Sequence, residues 1–192
     1  MANRSYLYAT DRVPARTPDQ PKPVVRGLSE WGYAIPLSYR LLVSADTVIC
    51  PSMIWELDDD VALAGDYDKG VRRLCDFLAR IDWPEAAELV QEAEAFLNAP
   101  ENRADHIVLE CAEIFDLDET PLAQQNRDLF GSLADLDQEM ERTLRHLNQV
   151  KPSAPGPLAR MLNLQPANPL APLHELGLGN WSNVLYFDFS ED

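Results

Sequence analysis

From Val71 to Leu147 apolar side chains return at steps of three and four, and this periodicity constrains the fold more than any other feature of the chain. Val71, Leu74, Cys75, Leu78 and Ile81 form one stripe, and Ala86, Leu89, Val90, Ala93 and Leu97 form a second. Such spacing gathers apolar groups on one side of an α-helix, which must then be covered by another surface. Ala104, Ile107, Val108, Cys111, Ile114 and Phe115 predict a third helix. "TPLAQQNRDLFGSLADLDQEMERTLRHLNQ" predicts a fourth, long one. Its stripe of Leu129, Leu133, Leu136, Met140, Leu144 and Leu147 sustains too few heptads for a coiled-coil seam and is read as core packing. In "DWPE", Asp82 with Glu85 three residues on reads as a capping box.

The flanking segments read differently. "RSYLYAT" has strand composition, and the four prolines of "RVPARTPDQPKPVVRG" predict a loop over residues 13–27. "LSEWGYAIPLSYRLLVSA" reads as an aromatic turn feeding a helix from about Pro36, since a missing N–H costs little in the first helical turn. "DDVALAGDY" reads as a short buried strand ending at Gly65, and "NVLYFDF" as a terminal strand. Residues 151–173 are proline-rich and predict an irregular arm. The expected fold is α+β, one domain over residues 1–192. Four to five amphipathic helices form its body, beside a small sheet drawn from the N-terminal, residue 61–65 and C-terminal strands.

Charge narrows the partners. Residues 46–142 hold seven basic and twenty-five acidic side chains, against a net charge of −16 and a pI near 4.4 for the whole chain. A nucleic-acid binder needs clustered Lys and Arg, and an anionic membrane surface attracts the same residues, so both are disfavoured. The expected partner is a basic protein. No apolar run is long enough to span a bilayer, and "MANRSYLYATDR" lacks the apolar middle of a signal peptide, so the expected compartment is the cytoplasm. Cys50, Cys75 and Cys111 are odd in number and widely spaced, which reads as reduced core thiols rather than a disulfide frame.

Catalytic chemistry finds little support in the residues. Asp58, Asp59, Asp60, Asp66 and Asp68 invite a hard cation, but neither "DDDVALAGDYDK" nor "DLDETPLAQQNR" has the Gly and Glu positions of a calcium loop. His106, Glu110 and Glu113 share a face of the predicted third helix and read as a solvated surface. His146 and His174 have no partner at useful spacing, and neither a glycine-rich phosphate loop nor a nucleophile elbow occurs. No catalytic residue, metal or cofactor is expected. The alternatives are a carboxylate- or metal-dependent hydrolase using Asp58, Asp60 and Asp66, and a generic acidic interaction module.

Helix dipoles account for part of the acidity, because Asp66, Asp68, Asp82, Glu85, Glu101, Asp105 and Glu119 fall at or near predicted helix starts. The rest is unexplained by that rule. Glu85, Glu88 and Glu92 repeat at three and four residues, as do Glu110 and Glu113, and each like-charged pair costs about 0.2 to 0.5 kcal/mol. Such acids either keep a protein soluble or present a negative face to a positive partner.

"MANRSYLY", "GLSEWGYAIPLSYRLL" and "CPSMIWELDDDVALAGDYDKGVRRLCDFLARI" together resemble a bacterial family of small proteins that share the "MANRSYLY" start. In size, acidity and lack of catalytic residues such proteins are similar to immunity proteins of polymorphic toxin systems, including those of type VI secretion. That resemblance implies a protein that neutralises a cognate toxin, most readily a nuclease whose basic cleft an acidic surface complements. Binding is then expected from acids near aromatic anchors: Trp55, Glu56, Asp58, Asp59, Asp60, Asp66, Tyr67 and Asp68, with Asp116, Asp118 and Glu119.

Overall fold

The computed structural model describes residues 3–16, 23–151, 168 and 170–189. Its centre is a five-stranded antiparallel sheet in the order β2-β1-β5-β4-β3. The strands are β1 (Arg4–Thr10), β2 (Val25–Gly32), β3 (Val48–Cys50), β4 (Ala62–Asp66) and β5 (His106–Glu110). Helices α1 (Leu37–Val43), α2 (Tyr67–Leu78), α3 (Ala87–Asn98), α4 (Ala112–Phe115), α5 (Leu122–Ser132), α6 (Leu136–Val150) and α7 (Ala171–His174) complete an α+β fold. Among the described residues no helix is long and apolar enough to cross a membrane.

The pleat separates two cores. Leu7 and Ala9 of β1, Leu63 of β4, and Ile107 and Leu109 of β5 face the helices, where they meet the stripes of α2, α3 and α6. Leu74, Ala93, Leu97, Leu136, Met140, Leu144 and Leu147 are all buried in this larger core. Tyr6, Tyr8, Ala62, Ala64 and Val108 point the other way into a smaller core with Cys50 and Ile54. Among the described residues no helix covers that face; Met53, Leu185, Phe187 and Phe189 pack onto it from loops and from the C-terminal segment.

Several sequence expectations are corrected. The third predicted helix is strand β5 followed by the single turn α4. Ile107, Val108 and Leu109 are a contiguous buried run inside a central strand, and a short apolar run carries no period that separates strand from helix. The proline loop ends earlier than expected, because β2 starts at Val25. "NVLYFDF" forms no strand: it bends at Asn183, Tyr186 and Phe187, and the C-terminal segment touches the sheet through an isolated bridge between Ser29 and Trp181.

The long fourth helix is two, α5 and α6, joined by a 3-10 turn at Leu133–Asp135. Asp82 closes no capping box: the cap of the Pro84–Ala86 turn is Trp83, and the Asp82 carboxylate lies 3.1 Å from Lys151. Asp105 precedes a strand rather than a helix. Asp66 does cap α2, accepting from the Lys69 N–H at 2.9 Å. Most of the predicted arm lies outside the described residues; at its end stands α7. The three cysteines are free, with Cys50 and Cys111 buried; burial pushes both thiols up.

Candidate functional site

In the antiparallel register Ala62 faces Glu110, so the loop that enters β4 and the loop that leaves β5 emerge at the same end of the sheet. The entering loop carries Trp55, Glu56, Asp58, Asp59 and Asp60, and the leaving loop carries Asp116, Asp118 and Glu119. Helix α5 holds both. Asn126, itself buried, donates to the Asp60 and Ala62 carbonyls at 3.2 Å, while Gln125 donates to the Phe115 and Thr120 carbonyls at 2.8 and 2.6 Å. The fold thus brings together two acidic stretches more than fifty residues apart in sequence.

Asp66, Tyr67 and Asp68 do not join them. They lie at the far end of β4, where Asp66 faces His106, and a five-residue strand separates its two ends by about 13 Å. Asp66 is a helix cap, and Asp68 forms an ion pair with Arg103 at 2.6 Å. Tyr67 is no surface anchor: it is 2 % exposed, donates to the Leu97 carbonyl at 2.9 Å, and burial pushes its hydroxyl up to about 12.

At the shared end the acids are unequal. Arg16 reaches over from the proline loop to the Asp60 carboxylate at 2.9 Å, to the Leu57 carbonyl at 3.1 Å and to the Asp58 carbonyl. Asp118 accepts from the Thr120 N–H at 2.8 Å, which lowers its carboxyl. Glu56, Asp58, Asp59, Asp116 and Glu119 are exposed and have no cation partner among the described residues. Trp55, on the same loop as Glu56, Asp58 and Asp59, is 42 % exposed, whereas Trp83 is core, donating to the Leu147 carbonyl.

Sequence reasoning missed the group that shapes this end. Glu110, read as part of a solvated helix face, is 1 % exposed in β5 and forms no ion pair among the described residues. Tyr8 donates to its carboxylate at 2.5 Å, Ser52 at 2.5 Å and the Met53 N–H at 2.7 Å. Tyr8 reaches it as a diagonal neighbour across the β1–β5 pair. Ser52 in turn accepts from the Ile54 and Trp55 N–H groups at 3.0 and 2.8 Å, so one buried carboxylate fixes the loop that presents Trp55. Desolvation raises the Glu110 carboxyl, opposed by the bonds from Ser52, Tyr8 and Met53. Burial and the neighbouring Glu110 push the Tyr8 hydroxyl well up. A Ser two residues after a cysteine strand, with a lone Glu in an apolar run, was the available signal.

Glu113 is likewise structural, accepting from the Arg4 N–H at 2.8 Å and from Tyr6 at 3.0 Å. Beside the loop lies a cleft of about 860 Å³, bounded by Arg12, Arg16, Met53, Trp55, Leu185 and Phe187.

A family model for a domain of unknown function, DUF7822, matches residues 11–150. The chain belongs to the DUF7822 family. The match takes in both acidic loops and Glu110, whereas β1 and the C-terminal segment lie outside it. Neither a curated protein nor a solved structure matches the chain.

The arrangement separates Asp58 and Asp60 from Asp66, the set a hydrolase or metal reading requires. Among the described residues no three His, Cys, Asp or Glu side chains gather as metal ligands. Titration with Ca²⁺, Mg²⁺ or Mn²⁺ should leave the melting temperature unchanged; a site filled at a hundred times its dissociation constant adds about 2.7 kcal/mol and would be plain in the melt.

Proposed function

We propose that this protein binds and neutralises a basic bacterial toxin, most readily a nuclease, in the manner of an immunity protein acting in the cytoplasm. The observation that supports this reading is the loop end of the sheet, which carries five exposed carboxylates without a cation partner among the described residues and, on the same loop as three of them, a half-exposed tryptophan. Charge on a rim accelerates encounter with a basic surface, and an aromatic anchor slows release. Because Glu110 fixes the Trp55 loop before any partner arrives, little ordering cost is left for binding.

The family match and the resemblance of the N-terminal 80 residues assign no partner, so the test is genetic. Genes adjoining this one are expressed singly and together with it. A neighbour whose product arrests growth alone and is harmless beside this protein is the expected result; no toxic neighbour would overturn the toxin reading.

A further inference from the structure

We infer that the contact face for a folded basic protein spans the whole loop end of the sheet, and that Tyr33, at the edge away from the Trp55 loop, is its second aromatic anchor. The partner's basic charge rests on the toxin-binding reading; the extent of the face does not.

The register places Tyr33 at this end. Gly32 of β2 faces Arg4 of β1, Tyr6 of β1 faces Glu110 of β5, and Glu110 faces Ala62 of β4. The turn that follows β2 therefore emerges beside the loop after β5 and the loop before β4. In the order β2-β1-β5-β4 three strand spacings separate the outer two, about 15 Å at about 4.8 Å each. A standard interface covers about 800 Å² on each partner, a patch about 30 Å across. A protein seated on the Trp55 loop with such a footprint reaches Tyr33.

Hydrogen bonds tie this end together from edge to edge. The Tyr33 N–H donates to the Asn3 carbonyl at 2.7 Å, and the Asn3 amide donates to the Glu113 carbonyl at 2.7 Å. Gln125 and Asn126 then hold the loops beyond, through the Phe115 and Ala62 carbonyls. Ser5 fixes the turn a second time, donating to the Ala34 carbonyl at 2.8 Å. Exposed apolar side chains stand on this frame: Tyr33 is 65 % exposed and Leu117 58 %, with Trp55 on the loop before β4. A frame fixed before encounter leaves little ordering cost for binding.

The fold gains little from the Tyr33 ring. Its φ of 61° is a left-handed conformation that a bulky side chain rarely takes. Gly32 beside it is not left-handed, and a Cβ there would meet nothing within 4 Å. The chain thus carries tyrosine at the position where glycine would be unstrained. A rigid, exposed aromatic ring is what an interface anchor requires.

The probe is the neighbouring gene product that proves toxic, tested against the full chain as wild type, Tyr33→Asn and Tyr33→Phe. Asparagine tolerates the left-handed backbone, so Tyr33→Asn should melt no lower than wild type; a lower melting temperature would make the ring a structural group and overturn the anchor. Tyr33→Asn should dissociate from the toxin at least about tenfold faster, with association unchanged within about twofold, while Tyr33→Phe stays near wild type. Dissociation equal to wild type, from a toxin whose association does slow when Glu56, Asp58 and Asp59 are neutralised, overturns the anchor and leaves the acidic reading standing. Faster dissociation of Tyr33→Asn with no effect of those acids supports the anchor and removes the acidic reading. No toxic neighbour overturns both. Hydroxyl-radical labelling reads the face without any substitution: the Tyr33 and Trp55 rings should both be labelled in the free protein and both be shielded in the complex. A Tyr33 ring still labelled in the complex contradicts the proposal.

Discussion

Glu110→Ala is expected to destabilise the protein by about 3 to 5 kcal/mol, since it removes the acceptor of three donors and leaves a buried void. The Tyr8 and Ser52 hydroxyls and the Met53 N–H would have no partner in a dry site. For a chain of 192 residues this is a fall in melting temperature of about 10 °C or more. Hydrogen exchange at Met53 and Trp55 should rise more than at β1, because the carboxylate ties down that loop. Glu110→Gln keeps an acceptor and most of the shape, so its loss should be far smaller.

The same pair of proteins isolates a pH effect. Burial raises the folded-state pKa of Glu110 above the unfolded value of 4.5, so its contribution to stability is fully present below that value. It is lost as pH rises through the raised folded value. Wild type minus Glu110→Gln, measured by melting from pH 4 upward, should therefore decline with rising pH and then level. A flat difference would mean that the carboxyl titrates normally and is not desolvated.

Gly70→Ala should be the most damaging of the glycine-to-alanine changes among the described residues. An added Cβ would sit 1.8 Å from the Leu42 carbonyl oxygen, so α1 and α2 would have to separate. Alanine in a helix interior ordinarily stabilises by about 1 kcal/mol over glycine. Here the overlap reverses the sign, with a loss of about 3 kcal/mol read in a denaturant melt. A neutral or stabilised variant would show that the two helices are not in backbone contact.

The sequence was a good guide wherever periodicity was long. The stripes of α2, α3 and α6 face the larger core as their spacing required, and "RSYLYAT" coincides with β1. It failed at β5, where a strand buried on both faces loses alternation and looks like any apolar run. That one error hid the site. With residues 104–115 read as a helix, Glu110 appeared solvated, and nothing related the loop before β4 to the loop after β5. The register Ala62 to Glu110 joins them, and the length of β4 separates Asp66, Tyr67 and Asp68 from the rest. Pairing of distant strands is not written in local composition.

The proposed binding surface is tested most directly by association kinetics with whichever neighbouring gene product proves toxic, comparing wild type with Glu56→Gln/Asp58→Asn/Asp59→Asn. Asp60 is left intact because it anchors Arg16. Association measured at low and high salt should slow by about tenfold at low salt and lose most of its salt dependence, with the melting temperature unchanged. Association rates equal to wild type at both salt concentrations would contradict the account and reduce these carboxylates to a solvated face.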